Sequence, residues 1–259
     1  MSNENDDTIA EGPEAEARIR RISRRAFLQA AGVVLAGGIG LYEFNKRAPV
    51  SDNIKSPLRA MLNFNDAVAS GLFFSPSHRA REFPRSFAVE PKNNYKGDTP
   101  TVDLAAWRLS VPGVGGNASS IDLGAIKKMP IVDQTTELKC IEGWSVIVNW
   151  TGARFVDFAK AYPPPPDAKY VSFLSEPTDF PDERYYVGID LESALHPQTL
   201  LAYEMNGKPL DAAHGAPLRL VIPTKYGIKN IKLITGIAYS ATRPADYWFE
   251  QGYDYFAGL

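Results

Sequence analysis

Several segments of the chain alternate apolar and polar residues or are apolar throughout. The clearest alternating run covers residues 131–138. Shorter runs of these two kinds cover residues 107–111, 146–148, 169–174, 185–188, 200–205, 218–223 and 231–239. Side chains of a strand face the two sides of its sheet in turn, so this spacing predicts β-strands. The pair Asn206-Gly207, directly after one of these runs, is a tight-turn signal.

Helical periodicity is confined to short segments. Residues 58–69 and 151–161 each place apolar side chains on one face, and Thr151 is predicted as the N-cap of the second helix. Asp122 is predicted to cap a further short helix that ends before Pro130. Short helices among many strands are typical of a mixed α+β domain. The 20 prolines and 20 glycines also favour a loop-rich sheet protein over a helical bundle.

Composition and charge narrow the classes of protein further. Apolar residues make up 44% of the chain and charged residues 22%, which is ordinary for a globular protein with a core. The formal net charge is −2, so no excess of positive charge indicates a nucleic-acid partner. A length of 259 residues fits one large domain or two small ones.

The first 50 residues differ from the rest, and we expect them to be an export signal and linker before a domain of residues 51–259. A basic segment at 18–25 precedes a nearly uncharged stretch at 29–42. Ser23-Arg24-Arg25-Ala26-Phe27-Leu28 is similar to the twin-arginine signal of proteins exported in the folded state. We therefore expect a periplasmic location. No convincing cleavage site follows, so retention at the membrane by an uncleaved N-terminal segment stays open, as does a chance basic run before a core helix.

Cys140 is the only cysteine in the chain. It follows the predicted strand 131–138 almost directly, and Gly143 and Trp144 come next. A single cysteine forms no internal disulfide. The thiol is therefore a small buried hydrophobe, an intermolecular partner or a soft ligand, and these residues alone leave the choice open.

Five segments in the same order resemble the molybdopterin-binding domain of the sulfite oxidase family, in particular its periplasmic methionine sulfoxide reductase branch. Cys140-Ile141-Glu142-Gly143-Trp144-Ser145 is similar to that branch's Cys-Val-Glu-Ala-Trp-Ser. The other segments are residues 169–173, 196–200, 214–220 and 223–232. The resemblance covers about residues 60–245, and it implies a mixed, strand-rich α+β fold with short helices.

The resemblance also implies a cofactor, molybdopterin carrying molybdenum. Cys140 would be the metal ligand, because a thiolate is the soft, anionic ligand that such a centre needs. Arg219 offers a planar fork of donors to the cofactor phosphate. The other implied cofactor-binding residues are His78, Ser175, His214, Lys229, Asn230, Ile231 and Lys232. Without the family, the nearby lysines would be interpreted as a solvated face.

Glu142 is predicted to act in catalysis. It lies two residues from Cys140, so along a strand both side chains would face the same side, and the carboxylate would tune protonation near the metal. A plain surface carboxylate is the alternative.

The resemblance implies an exported oxidoreductase that transfers an oxygen atom and receives electrons from a membrane haem protein or another redox partner. Sulfite oxidases carry an anion-binding arginine where this chain has Pro76 and Ser77. We therefore expect a neutral sulfoxide, free or within a protein, as the substrate rather than sulfite. The alternatives are a sulfite dehydrogenase and a metal-free binding or scaffold protein on the same fold.

Overall fold

The structure is a computed structural model that describes residues 13–51, 53–75, 77–92, 102–112, 118–175 and 185–259. The chain divides into two compact units. The first unit comprises the described residues up to Val50 together with Lys55–Pro57. The second unit comprises Ser51–Ile54 and Leu58–Leu259. The site discussed below lies within the second unit.

The first unit is dominated by one helix, α1 (Pro13–Arg47). Its segment Phe27–Arg47 has 21 residues and contains an 18-residue stretch with a mean hydropathy of 1.4, so it is long and apolar enough to cross a membrane. A signal sequence near the N-terminus meets the same criterion. Length and composition alone therefore do not separate a signal from an anchor, and export remains a prediction.

The other helices and strands are short, as the sequence predicts for a mixed α+β domain. In chain order they are β1 (Val50–Ser51), β2 (Ile54–Lys55), α2 (Ser56–Val68), β3 (Leu109–Pro112), β4 (Ala118–Ile121), α3 (Leu123–Lys127), β5 (Ile131–Lys139), β6 (Ser145–Arg154), α4 (Phe155–Ala161), β7 (Tyr170–Ser175), β8 (Tyr186–Asp190), α5 (Leu191–Ala194), β9 (Leu200–Met205), β10 (Lys208–Pro209), β11 (Arg219–Val221), β12 (Ile234–Ser240) and α6 (Tyr247–Glu250).

Two five-stranded sheets form the body of the second unit. In the first sheet the order is β10-β9-β6-β5, and β11 also pairs with β9. The second sheet has the order β4-β3-β12-β7-β8. The pair β3 and β12 is parallel, whereas β5 and β6 form a long antiparallel hairpin. The predicted strand-rich α+β fold is therefore confirmed.

Strand β9 shows why some strands of this chain are apolar throughout. Leu201 and Tyr203 belong to one buried cluster, and their neighbours Leu200 and Ala202 belong to a second cluster. Alternate side chains of a strand face opposite sides of the sheet, so β9 is covered on both faces. Burying each large apolar side chain stabilises the fold by about 1.5–3 kcal/mol.

One helix boundary predicted from the sequence is wrong. Thr151 does not cap a helix but lies within β6, where it is paired with Asp133 on one side and Glu204 on the other. Its hydroxyl donates to the Asp133 carboxylate at 2.9 Å, and α4 begins only at Phe155. A central strand gains backbone pairing on both edges, which outweighs one local cap. By contrast, the predicted cap Asp122 is confirmed, since its carboxylate accepts from the Ala125 amide at 2.8 Å.

Two ion pairs, each with a buried lysine, fix the segment between β11 and β12. The Lys229 ammonium lies 2.5 Å from the Asp246 carboxylate, and both residues are 1% exposed. The Lys225 ammonium lies 3.2 Å from Asp190 and donates to the carbonyl of Phe256 at 2.8 Å. Burial lowers the pKa of both lysines, that of Lys225 to about 8, and the neighbouring carboxylates oppose this shift.

We predict that Lys229→Met destabilises the cofactor-free protein by about 3–5 kcal/mol, because it leaves the buried Asp246 carboxylate without its cation. Urea denaturation measures this loss. The matched control is Lys160→Met, which removes an ion pair whose lysine side chain is 71% exposed. Such an exposed pair contributes less than about 1 kcal/mol. Equal, small losses in both variants would contradict the structural role of Lys229.

Candidate functional site

Cys140 begins the tight connection between β5 and β6. The ladder of these strands ends at the pair Lys139 and Ser145. Beyond it, the Cys140 amide donates to the Trp144 carbonyl at 2.9 Å, and the Gly143 amide donates to the Cys140 carbonyl at 3.1 Å. Gly143 has a φ of +86°, which glycine adopts without steric cost. The ladder therefore holds the thiol in a defined position at its end.

The thiol lines a pocket of about 440 Å³, which we call the Cys140 pocket. The pocket is lined by Lys139, Cys140, Ile141, Gly143, Trp144, Ser145 and Tyr226. Tyr226 comes from the segment between β11 and β12, whereas the others belong to the β5–β6 hairpin. The two segments touch, since a Cβ added at Gly227 would lie 3.4 Å from the Lys139 carbonyl oxygen.

The surroundings of Cys140 favour the neutral thiol. Burial raises the pKa of Cys140, and hydrogen bonds from the Glu142 and Ile141 backbone oppose this shift. The Glu142 carboxylate, through its charge and a hydrogen bond with the thiol, raises the pKa. The Trp144 indole donates to the same carboxylate at 2.8 Å. A metal ligand must be the thiolate, so metal binding here releases a proton. Glu142 thus contacts the predicted ligand, and its catalytic role stays a prediction.

A pair of cations lies at a second place, which we call the Arg219–Lys232 cluster. The Arg219 guanidinium stacks 4.6 Å from the Trp150 ring and donates to the His214 and Asn230 carbonyls at 3.1 and 3.2 Å. The Lys232 ammonium donates to the Ala213 carbonyl at 2.8 Å. Burial and the positive charge of Arg219 lower the pKa of Lys232 to about 7. An anion bound here would offset that repulsion.

The cluster is closely built. Gly215 has a φ of +96°, and a Cβ at this position would lie 2.8 Å from the Lys232 Cβ. A side chain there would therefore push the turn away from the lysine. His214 is buried, and its ring nitrogens lie 2.8 Å from the Asp211 carboxylate and 3.2 Å from the Pro91 carbonyl.

These residues fit the implied cofactor. A soft ligand is available at Cys140, and a planar guanidinium with an ammonium beside it is a donor set for a phosphate. Ser175, also predicted, is buried at the end of β7 opposite Ile234, two residues from Lys232. The structure therefore brings Ser175, His214, Arg219 and Lys232 to neighbouring positions.

Three further predicted residues use their side chains within the protein. The Lys229 ammonium is paired with Asp246, and Ile231 is 1% exposed. The Asn230 side chain accepts from the Ile222 amide at 2.8 Å and donates to the Tyr226 carbonyl at 3.1 Å. These contacts hold the segment between β11 and β12 in shape, and a direct role of its residues toward the cofactor stays a prediction.

His78 is found beside the Cys140 pocket rather than in its lining. It lines a neighbouring pocket of about 600 Å³ that shares Lys139 with the first. His196 lies 2.9 Å from the His78 carbonyl through its Nε2, and its Nδ1 accepts from the Gln198 amide at 3.2 Å. Burial lowers the pKa of His196, although the contact with the His78 carbonyl opposes this, and Arg79 lowers the pKa further. A neutral ring that donates through Nε2 satisfies both contacts.

Gln198 and Tyr226 are the site residues that sequence reasoning missed. The fully buried Gln198 amide accepts from the Ala80 amide at 2.8 Å and donates to the Ala80 carbonyl at 3.0 Å, which fixes the segment carrying His78. Both residues lie inside segments that resemble the family, 196–200 and 223–232. Their position in these segments was the one sequence signal that could have identified them, because neither glutamine nor tyrosine by itself indicates metal or phosphate binding.

The fold, the thiol and the cation pair together fit a domain that binds an anionic, metal-bearing cofactor. A family model described as the oxidoreductase molybdopterin binding domain matches residues 96–248. The chain therefore belongs to the oxidoreductase molybdopterin-binding domain family, and it is an oxidoreductase.

Proteins with similar sequences are named as protein-methionine-sulfoxide reductase subunits. The chain is 37% identical over 240 residues to a candidate protein-methionine-sulfoxide reductase subunit, YedZ1, from Azospira oryzae, with 91% of this chain and 88% of that one covered. It is 37% identical over 160 residues to the protein-methionine-sulfoxide reductase catalytic subunit MsrP of Xanthomonas campestris, covering 58% of this chain and 50% of the relative. The MsrP of Burkholderia mallei is 29% identical over 254 residues, covering 91% and 75%.

A solved structure shares the fold. The sulfane dehydrogenase SoxCD from Paracoccus pantotrophus matches with a TM-score of 0.52 at 16% identity. The match covers 66% of this chain and 47% of that one. This likeness supports the sulfite-oxidase-type architecture and carries no information about the substrate.

We predict that Lys232→Gln weakens cofactor binding by about tenfold or more, since it removes one charge-assisted donor to a phosphate. The stability of the cofactor-free protein should change by less than about 1 kcal/mol, because the lost charge is repelled by Arg219. Molybdenum and pterin content per chain measure occupancy, and urea denaturation measures stability. Lys128→Gln, at the end of α3, is the matched control. Equal molybdenum content in both variants would contradict a cofactor-binding role for Lys232.

Proposed function

We propose that this chain is an exported, molybdenum-dependent sulfoxide reductase. The observation that carries the proposal is the lining of the Cys140 pocket, which combines apolar surface from Ile141 and Trp144 with the phenol of Tyr226. The one ammonium in the described lining, that of Lys139, lies 3.7 Å from the Glu137 carboxylate. A neutral S-oxide needs an apolar wall and a donor to its oxygen, and this pocket offers both.

The names of the relatives support the same activity. YedZ1 and MsrP are both named as protein-methionine-sulfoxide reductase subunits. When bound, the molybdenum cofactor supplies two-electron redox chemistry at the metal. The chain itself supplies the thiolate of Cys140 as ligand, Arg219 and Lys232 for the phosphate end, and the pocket that orients the substrate.

Sulfite is a poorer match to the residues near the thiol. It is an anion, so its binding requires a cation that is not already compensated. Of the two positions where sulfite oxidases place their arginine segment, Pro76 lies outside the described residues, and the Ser77 hydroxyl bonds to Ser75 at 2.8 Å. Arg79 and Arg81 are the candidate substitutes in the sequence. The Arg79 guanidinium is paired with Glu82 at 2.7 Å, and the Arg81 guanidinium stacks 4.7 Å from the Phe83 ring.

A redox partner is part of the proposal, because reduction of a sulfoxide consumes two electrons that the chain must receive. MsrP is named as a catalytic subunit, which implies a second subunit in that system. We take the partner to be a one-electron donor, such as a membrane haem protein. The apolar segment Phe27–Arg47 supports a location at the periplasmic face of a membrane.

The activity is tested by steady-state kinetics on two substrates with artificial dyes. Wild-type protein loaded with molybdenum should reduce methionine sulfoxide from a reduced dye, and Cys140→Ala should lower that rate to background while the fold persists. Circular dichroism and thermal unfolding check the fold. A sulfite kcat/KM well above that for every sulfoxide tried would favour the sulfite dehydrogenase alternative. Absence of molybdenum after expression in a molybdenum-replete host would favour a binding protein.

Export is tested separately. The double variant Arg24→Lys/Arg25→Lys should leave the protein in the cytoplasm, because the twin-arginine route reads that pair. Fractionation followed by immunoblotting measures the distribution. The matched control is Arg20→Lys/Arg21→Lys, which makes the same charge-conserving substitutions outside the twin-arginine pair. Normal periplasmic accumulation of the Arg24 and Arg25 variant would contradict this route.

A further inference from the structure

The polar side chains that line the Cys140 pocket are mostly committed to partners within the protein. The Lys139 ammonium lies 3.7 Å from Glu137, whose carboxylate also accepts from the Ser145 hydroxyl at 2.6 Å. The Cys140 thiol and the Trp144 indole both donate to Glu142. These donors would have to break an internal contact in order to serve a ligand.

Tyr226 is the exception. Among the residues that the structure describes, none forms a hydrogen bond with its hydroxyl, whereas its backbone is held at several points. The Tyr226 amide donates to the Ala257 carbonyl at 3.0 Å, and its carbonyl accepts from the Lys229 amide at 2.9 Å. Tyr226 therefore belongs to the pocket lining, has a fixed backbone, and carries a hydroxyl without a partner among the described residues.

The backbone on both sides of Tyr226 is also anchored electrostatically. Lys225 precedes it and is paired with Asp190, and Lys229 follows it and is paired with Asp246. Gly227 lies against the backbone of the Cys140 turn. A donor that is positioned before the ligand arrives loses little conformational entropy on binding.

We propose that Tyr226 is a catalytic residue whose hydroxyl donates a hydrogen bond to the sulfoxide oxygen of the bound substrate. This inference rests on the proposed function and deepens it, because it names the group that recognises the S–O bond. It also accounts for a preference for uncharged sulfoxides over sulfite, since a phenol offers a hydrogen-bond donor without a positive charge.

The role is consistent with the overall reaction. A sulfoxide takes up two electrons and two protons, its S–O bond breaks, and a sulfide and water leave. The electrons come from the one-electron donor of the proposed function, and the protons come from solvent. Negative charge grows on the oxygen as the S–O bond breaks, so a donor fixed at that atom stabilises the transition state more than the ground state.

The test is Tyr226→Phe, which removes the hydroxyl and keeps the apolar wall. We expect kcat/KM for methionine sulfoxide to fall by about tenfold or more. Inhibition by the corresponding sulfide should not change, because the sulfide lacks the oxygen that Tyr226 contacts. Molybdenum content and melting temperature should match the wild type. Tyr162→Phe, at the end of α4 and outside the pocket lining, is the matched control.

The outcomes separate the two claims. If the wild type reduces methionine sulfoxide and Tyr226→Phe has the same kcat/KM, the proposed role of Tyr226 is overturned and sulfoxide reduction still holds. A parallel loss of sulfide and sulfoxide binding also overturns it, because it shows a collapsed pocket rather than a lost donor. A wild-type protein that carries molybdenum and reduces no sulfoxide overturns the proposed function itself.

Discussion

Two ion pairs with buried lysines tie the segment between β11 and β12 to β8 and to the start of α6. Lys225 pairs with Asp190 and Lys229 pairs with Asp246, and Gly227 between them lies against the turn that carries the thiol. A buried ammonium without its carboxylate would be strongly unfavourable, so each pair ties the segment to a specific place in the fold. Tyr226, between the two lysines, thereby completes the lining of the Cys140 pocket at the end of the β5–β6 hairpin.

The Cys140 pocket and the Arg219–Lys232 cluster have opposite electrostatic character. At Cys140, burial and a nearby carboxylate raise the pKa of the thiol, so the site disfavours negative charge until a cation arrives. At Lys232, burial and a neighbouring guanidinium lower the pKa of the ammonium, so the site disfavours positive charge until an anion arrives. A metal-bearing cofactor with a phosphate at its other end satisfies both requirements, releasing a proton at one end and favouring its uptake at the other.

Much of the fold and part of the site could be predicted from local patterns. The alternation at 131–138 gives β5 almost to the residue, and Asp122 caps α3 as expected. Thr151 shows the limit of prediction from local patterns. Its helix-capping signal comes from neighbouring residues, whereas the pairing of β6 with β5 and β9 involves segments distant in the sequence. Lys229 shows another, because three lysines within eight residues look alike in the sequence, and only burial distinguishes an internal ion pair from a surface cation.

The sequence by itself determined the family, the single soft ligand and the order of the segments that build the site, because these depend on residue type and spacing along the chain. The tertiary structure decided which donors are still available. Ser145 and Trp144 donate to carboxylates of their own hairpin, whereas Tyr226 comes to the same pocket from 86 residues after Cys140. A hydrogen bond requires two atoms about 3 Å apart, so which donor pairs with which acceptor is decided only when segments distant in sequence pack together.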